Sequence, residues 1–275
     1  MADKDLPTIE EIKAASELLS QPNMSTKVVK INDRIAVKYG CAVSLLEAET
    51  MKFVALNSMV PVPKVLAAFA EEETSLKFIV MELVPGRTLE ALLPTLNAKE
   101  KVEVCTLVKN AIDELRRIPE QNYIGGVNRQ PLDSAVFWVP DHDPTISGPF
   151  DTEADMNEGM LKHLAQNNSA IYVQFLRDLI NDTLHGHKTV FTHGDLQPKN
   201  IMVNRISSPE DSESRFEIHL IDWEAAAWYP EYWEFCISTF GCRIRHEWLE
   251  LTRNILQQYH REYLMMQVIF SIAYY

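Results

Sequence analysis

The sequence predicts an α+β protein of two lobes: a small antiparallel-sheet lobe over residues 1–84 and a larger, mainly helical lobe over 85–275. Three observations carry that expectation. A strand–turn–strand pattern at 28–39 is followed by a helical stretch and two further strands, until Pro85-Gly86 breaks the run. Apolar residues then recur at helical spacing in several long segments. A second hairpin, at 201–221, interrupts those helices with amide and acidic side chains at its ends. A hydrophobic content of 46% with 9% aromatics supports a substantial core, and 275 residues suit one two-lobed domain or two small ones.

In the first lobe an entry helix is expected near Thr8–Ser20. Val28-Val29-Lys30-Ile31 and Ile35-Ala36-Val37-Lys38-Tyr39 flank Asn32-Asp33, a good two-residue hairpin turn. A helix follows from about Ser44 to Leu56. On it Glu47 shares a face with Val43, Met51 and Val54. A carboxylate in an apolar stripe needs a partner, and Lys38 is a candidate. Glu49, on the stripe of Leu45, Phe53 and Leu56, is its rival. Strands are expected around Val65–Ala70 and Lys77–Leu83. The run Phe78 to Val84 then meets Pro85-Gly86. It reads either as a connector with backbone groups near Glu82 and Val84 open to an adenine edge, or as an ordinary strand and turn. No first strand is recognisable, and no Gly-x-Gly-x-x-Gly precedes Lys38, so Asn23-Met24-Ser25-Thr26 is the candidate phosphate-covering loop.

In the second lobe Val104, Leu107, Val108, Ala111, Ile112 and Leu115 mark one helix. Ile171, Phe175, Leu179 and Ile180 mark another over Ala170–Leu184, and Trp248, Leu249, Leu251, Ile255 and Tyr259 a late one. Met265 to Phe270 belongs to an amphipathic helix. Between Arg129 and Lys162 lie seven acids and no Lys or Arg, among Pro140, Pro144, Gly148 and Pro149. That stretch reads as an irregular segment, either a cleft lining for a cationic substrate or a solvated acidic loop.

The chemistry concentrates in His193-Gly194-Asp195-Leu196-Gln197-Pro198-Lys199-Asn200 and Asp222-Trp223-Glu224. Ile201–Arg205 and Phe216–Ile221 are strand-like, joined by polar Ser207–Ser214. Antiparallel pairing sets the start of the first strand, at Asn200, beside the end of the second, at Asp222. An amide oxygen next to a carboxylate suits Mg²⁺, which takes hard oxygen ligands. Asp195 enters the same hairpin and can face the same cleft. The trio suits phosphoryl transfer: one carboxylate aligns an acceptor hydroxyl, and the other two groups hold magnesium on nucleotide phosphates. Asp and Asn are common in turns, and three unrelated turn residues are the plain alternative. Glu231 and Glu234, in Pro230-Glu231-Tyr232-Trp233-Glu234, are candidate contacts for a cationic acceptor, or helix-start acids that complement a dipole.

With these residues in order, the chain resembles the aminoglycoside phosphotransferase family of small-molecule kinases, relatives of choline kinases and protein kinases. The resemblance runs from Val28 to about Trp233. It rests on Val37-Lys38-Tyr39-Gly40, Glu47-Ala48, Pro61-Val62-Pro63-Lys64-Val65, Met81 to Gly86, Thr192 to Asn200, Ile221 to Glu224, and Pro230 to Glu234. It implies a bilobal protein-kinase-like fold. It also implies ATP, or GTP, with Mg²⁺ as cofactors and a small hydroxyl acceptor, aminoglycoside-like and cationic. Asp195 is then similar to the catalytic aspartate, Asn200 and Asp222 to the metal ligands, Lys38 to the phosphate-orienting lysine with Glu47 its partner, and Glu82 and Val84 to the adenine contacts. His193-Gly194-Asp195 and Asp222-Trp223-Glu224 stand where protein kinases often have His-Arg-Asp and Asp-Phe-Gly. No Ala-Pro-Glu-like anchor follows Asp222, so a protein kinase is disfavoured. A choline- or amino-alcohol-type metabolite kinase and a nucleotide-binding pseudokinase are the alternatives.

Bulk properties narrow the partners. With 26 Lys and Arg against 39 Asp and Glu, the net charge is −13, which argues against nucleic acid or anionic membrane. Cys41, Cys105, Cys236 and Cys242 form no Cys-x-x-Cys pair, as expected of reduced thiols in a cytoplasmic protein. Met1 to Asp5 lacks the pattern of a signal peptide, and no run is long enough to span a bilayer. Nothing in the sequence identifies a protein partner.

Overall fold

The computed structural model describes residues 6–206, 215–240 and 246–273. The expectations for Met1–Asp5, for the polar connection Ser207–Ser214 and for Cys242 lie outside them. Of the other cysteines, Cys41 is exposed, Cys105 and Cys236 are buried, and all three are free thiols.

The first part of the chain is an antiparallel sheet with a helix at its entrance and another across one face. Helix α1 (Ile9–Ala14) opens on a capping box, in which Thr8 and Glu11 each bond the other's backbone N–H. It ends well before Ser20, because Glu17–Leu18 leave it as strand β1 to pair with β2 (Lys27–Asn32). This two-residue pairing supplies a first strand that no alternation of side chains could announce. The Asn32 side chain accepts the N–H groups of Arg34 and Ile35, turning the chain into β3 (Ile35–Gly40). Then come α2 (Leu45–Asn57), β4 (Val65–Glu71) and β5 (Leu76–Glu82). The sheet order β1-β2-β3-β5-β4 puts β3 at the centre. Val37, Phe78 and Val80 face α1. The period of two then turns Lys38 and its cross-strand partner Ile79 to the other face, where Ile79 packs on Val43 and Ala48 beside α2.

At Gly86 the chain passes into the helical part. A Cβ there would meet the Val203 carbonyl oxygen at 2.2 Å, and φ is +102°, so only glycine fits. Strand β6 (Arg87–Thr88), α3 (Leu89–Leu92) and α4 (Ala98–Leu115) follow, α4 opening on an Asn97–Glu100 capping box. Next are α5 (Pro144–Ser147), α6 (Glu153–Ala165), α7 (Ala170–Thr183) and β7 (Thr189–Thr192). The chain continues through β8 (Ile201–Ile206), β9 (Arg215–Leu220), β10 (Ala227–Pro230), α8 (Trp233–Thr239), α9 (His246–Ile255) and α10 (His260–Ala273). Strands β6, β8 and β9 form one antiparallel sheet, and β7 pairs with β10.

Two local expectations change. The acidic stretch is not simply irregular: α5 lies within it and α6 begins in it and runs past its end, with a buried stripe of Met156, Met160, Leu161 and Leu164. On α7 the buried face is Val173, Leu176 and Ile180, whereas Ile171, Phe175 and Leu179 are exposed. One apolar cluster runs from Met51 and Val54 of α2 to Met266 and Phe270 of α10, and joins both parts.

Candidate active site

Lys38 is the hub of one half of the site. Its ammonium lies 2.7 Å from Glu47 Oε2, 2.7 Å from Asp222 Oδ1 and 3.3 Å from Glu224 Oε2. The central strand aims Lys38 at α2, and the stripe of Val43, Met51 and Val54 buries Glu47 opposite it. The second Glu47 oxygen accepts the N–H of Trp223 at 3.3 Å, tying α2 to the segment after β9. Glu49 is exposed and bonds Asn128 instead. Burial works against the charge of Lys38, but the carboxylates of Glu47, Asp222 and Glu224 outweigh it and hold its pKa above the usual lysine value. Burial also opposes the charge of Asp222, and Lys38 more than compensates, keeping that carboxyl below its usual range. Glu47 is pushed up to about 7 by burial, against the pull of Lys38.

The other half is the His193–Asn200 loop. The β8–β9 hairpin places Ile201 opposite Leu220, and Ile221 N–H bonds the Asn200 carbonyl at 3.0 Å, so Asn200 and Asp222 are neighbours. The Asn200 amide donates to Asp195 twice, at 2.8 Å to its carbonyl and 2.8 Å to Oδ2. Gln197 donates to Asp195 Oδ1, and Lys199 Nζ lies 3.2 Å from Oδ2. His193 Nε2 donates to the Ile221 carbonyl, and its Nδ1 accepts the Asp195 N–H, so this buried ring joins the loop to the Asp222 segment.

The donor set fits a hard divalent cation. Asn200 spends its amide hydrogens on Asp195, and its Oδ1 accepts no hydrogen bond among the described residues. Asp222 Oδ2 is likewise without a donor among them. Asp222 is held at φ +67°, a left-handed conformation that Asp tolerates better than most residues and that costs energy away from a functional site. The oxygens of Glu47, Asp222 and Glu224 also lie within 4.8 Å of one another.

Support for the loop comes from below. Both oxygens of buried Glu234 are taken by backbone, His193 N–H at 2.7 Å and Gly194 N–H at 3.3 Å. One turn on, Ser238 bonds the Leu196 carbonyl at 2.8 Å. Gly194 has φ +81°, and a Cβ on it would lie 2.3 Å from the Ala225 carbonyl oxygen, so no larger residue fits there. The structure therefore places Glu234 beneath the loop instead of on an acceptor surface. Glu231 sits at the far end of β7, where it accepts the Lys188 N–H. From Lys188 to His193 a strand covers roughly 16 Å at about 3.3 Å per residue, so Glu231 stands well away from Asp195, whereas Glu234 lies directly under the loop with both oxygens on its backbone.

Several acids of the stretch between Arg129 and Lys162 are also engaged. Asp143 caps α5, Asp151 pairs with Arg129, Glu153 with His187 and Glu158 with Arg177. Asp133 differs: with Glu49 and Glu224 it borders a cavity of about 40 Å³ beside the Asp222 segment. Glu82 is exposed at the end of β5 with its N–H on Lys64. Val84 makes no backbone hydrogen bond among the described residues. Sequence reasoning assigned no role to Glu224 or Ser238. The closeness of Glu224 to Asp222 in the chain is the only signal for the first, and an i, i+4 relation to Glu234 points to the second.

The phosphotransferase enzyme family model matches residues 41–268. No curated protein is matched by the sequence. Among solved structures, the fold is similar to aminoglycoside phosphotransferase APH(4)-Ia, with a TM-score of 0.55 and 16% identity, covering 96% of this chain and 86% of that one. A thermostable form of that enzyme, in ternary complex with ADP and hygromycin B, has a TM-score of 0.59 and 15% identity, covering 96% and 89%. The GDP complex of aminoglycoside 2′-phosphotransferase-IIIa has a TM-score of 0.57 and 13% identity, covering 94% and 83%. At these identities the likeness is one of fold.

Proposed function

The chain belongs to the phosphotransferase enzyme family, and from that premise we propose that it moves the γ-phosphoryl group of ATP to a hydroxyl of a small cationic molecule, aminoglycoside-like, with Mg²⁺ bound. The observation that carries this reading is the convergence of Lys38, Asp222 and Glu47 in one cluster, with Asp195 tied through Asn200 to the same hairpin end. Nucleotides in the similar folds support it.

In this reading residues 1–84 hold the nucleotide and 85–275 supply catalysis and the acceptor pocket. The free backbone groups of Val84, beside Glu82, take the adenine edge. Lys38 sets the α- and β-phosphates, and Glu47 holds Lys38 in place. Asp195 orients the acceptor hydroxyl and accepts its proton. Asn200, by bonding Asp195 Oδ2, fixes that carboxylate toward the hydroxyl. Asn200 and Asp222 would hold Mg²⁺, which would supply positive charge to offset that developing on the transferring phosphoryl group. Most of the rate comes from positioning and charge stabilisation. The preference for a cation rests on Glu49, Asp133 and Glu224 around the small cavity, and on the net charge of −13. An amino alcohol would satisfy the same chemistry.

The test is a phosphate-transfer screen with labelled ATP and Mg²⁺ over aminoglycosides, amino alcohols and neutral sugars. Transfer to cationic alcohols is expected. Transfer to neutral sugars alone refutes the cationic acceptor, and nucleotide binding without transfer to any acceptor or to water supports the pseudokinase instead.

A further inference from the structure

A second cavity, of about 480 Å³, lies between α4, α8 and the link from α9 to α10, and none of Lys38, Asp195, Asn200 or Asp222 lines it. Its size is that of a small-molecule site. Its charges are unequal in an informative way. The carboxylates on its wall are engaged: Glu234 by the His193 and Gly194 N–H groups, Asp113 by Lys109 at 2.5 Å, and Glu231 by the Lys188 N–H at 3.4 Å. The guanidinium groups are not. Arg116, partly buried at the end of α4, donates only to neutral acceptors, Thr192 Oγ1 at 2.8 Å and the Phe191 carbonyl at 3.3 Å. Arg253, exposed at the rim, has no ion pair with any described carboxylate. Burial weighs against the charge of Arg116 and lowers its pKa, although the carboxylates of Glu234, Glu231 and Asp113 nearby favour that charge; none of the three hydrogen-bonds it among the described residues, and a hydrogen-bonded anion relieves more of the cost. The lining also includes apolar Ile112, Val190, Phe235, Ile255 and Leu256.

We infer that this cavity binds a small organic acid, its carboxylate or phosphate head on Arg116 and Arg253 and its apolar body against Phe235, Ile255 and Leu256. The site is coupled to the His193–Asn200 loop. Arg116 holds Thr192, one residue before His193, and an anion that draws the guanidinium away loosens that hold. Occupancy of the cavity and events in the loop then bias each other reciprocally. Binding itself is independent of the proposed function; only its effect on turnover rests on that reading.

The experiment is calorimetric titration of the full chain with octanoate and octyl phosphate, with 1-octanol and acetate as controls. One saturable site is expected for at least one of the two acids, with both controls at least tenfold weaker. Arg253→Gln, an exposed change that should leave the melting temperature alone, is expected to weaken acid binding about tenfold, and Arg116→Gln more. The inference fails if neither acid saturates, if 1-octanol binds as well as the acids, or if affinity is unchanged in the Arg253→Gln protein. A chain that binds the acid but transfers no phosphate leaves this inference standing while the proposed function falls.

Discussion

Lys38 Nζ and Glu47 Oε2 are 2.7 Å apart at the join of a central strand and a helix, both nearly sealed from water. The contact fixes α2 against the sheet and sets the ammonium beside Asp222. Lys38→Met removes the ammonium that contacts Glu47, Asp222 and Glu224. Breaking a buried pair from one side typically costs about 3–5 kcal/mol, but Glu47 can take up a proton, which limits the loss. We expect a melting midpoint lower by several degrees and nucleotide affinity weaker by at least tenfold. Both are measurable on one preparation, by thermal melting and by nucleotide titration. Unaltered nucleotide affinity would remove Lys38 from the phosphate site.

Asp195→Asn preserves the shape of a side chain that is held by Gln197, Asn200 and Lys199. The new amide keeps one acceptor oxygen and loses the other, so a small loss of stability is expected, with nucleotide affinity close to the parent's. Loss of a general base lowers turnover by about 10²–10⁴. Single-turnover transfer to whichever acceptor the screen identifies is the measurement, and parent-like transfer would strip Asp195 of its assigned role.

Much of this arrangement was legible in the sequence, for reasons that differ by residue. Lys38 and Glu47 could be read because a strand of period two and a helix of period 3.6 each orient a charged side chain against an apolar background. Asn200 and Asp222 could be read because hairpin pairing converts separation along the chain into adjacency. Strands β6, β7 and β10 could not, since two to four residues carry too little alternation to distinguish strand from loop. The role of Glu234 was hidden for another reason. An acid near a helix start suits the dipole, an acceptor contact or a backbone clamp equally well, and only the position of His193 and Gly194 above it decides.

That clamp has a measurable cost. Glu234→Ala leaves two buried N–H groups without an acceptor, and each unpaired buried donor costs about 1–3 kcal/mol. Chemical denaturation should show a loss of about 2–6 kcal/mol, with turnover falling as the loop loosens. Glu234→Gln keeps one acceptor oxygen and should recover part of both. If Glu234→Ala were as stable as the parent, Glu234 would not be what anchors the loop.

Removal of metal separates fold from function. Without nucleotide, chelator should leave the melting temperature where it was, because Lys38 already neutralises part of the carboxylate cluster. With ATP present, Mg²⁺ should raise the midpoint, and EDTA should abolish that rise. A rise that survives EDTA would mean that the nucleotide is held without the Asn200–Asp222 pair engaging a cation.

Lys199 provides the sharpest division between stability and chemistry. Its Nζ is 3.2 Å from Asp195 Oδ2, it is 45% exposed, and its charge also contributes to holding down the pKa of Asp222. An exposed pair of this kind adds little to stability, about 0–1 kcal/mol, so Lys199→Ala should melt with the parent. The same ammonium stands beside the carboxylate proposed to receive the acceptor and within electrostatic reach of the one proposed to hold magnesium. In the proposed function the phosphoryl group transfers beside these carboxylates, and a cation there favours the charge that builds on its oxygens. Turnover should therefore drop by roughly tenfold or more in the alanine variant, with nucleotide affinity little changed and Lys199→Arg restoring most of the rate. A loss of affinity with turnover intact would instead assign Lys199 to ground-state binding of the nucleotide.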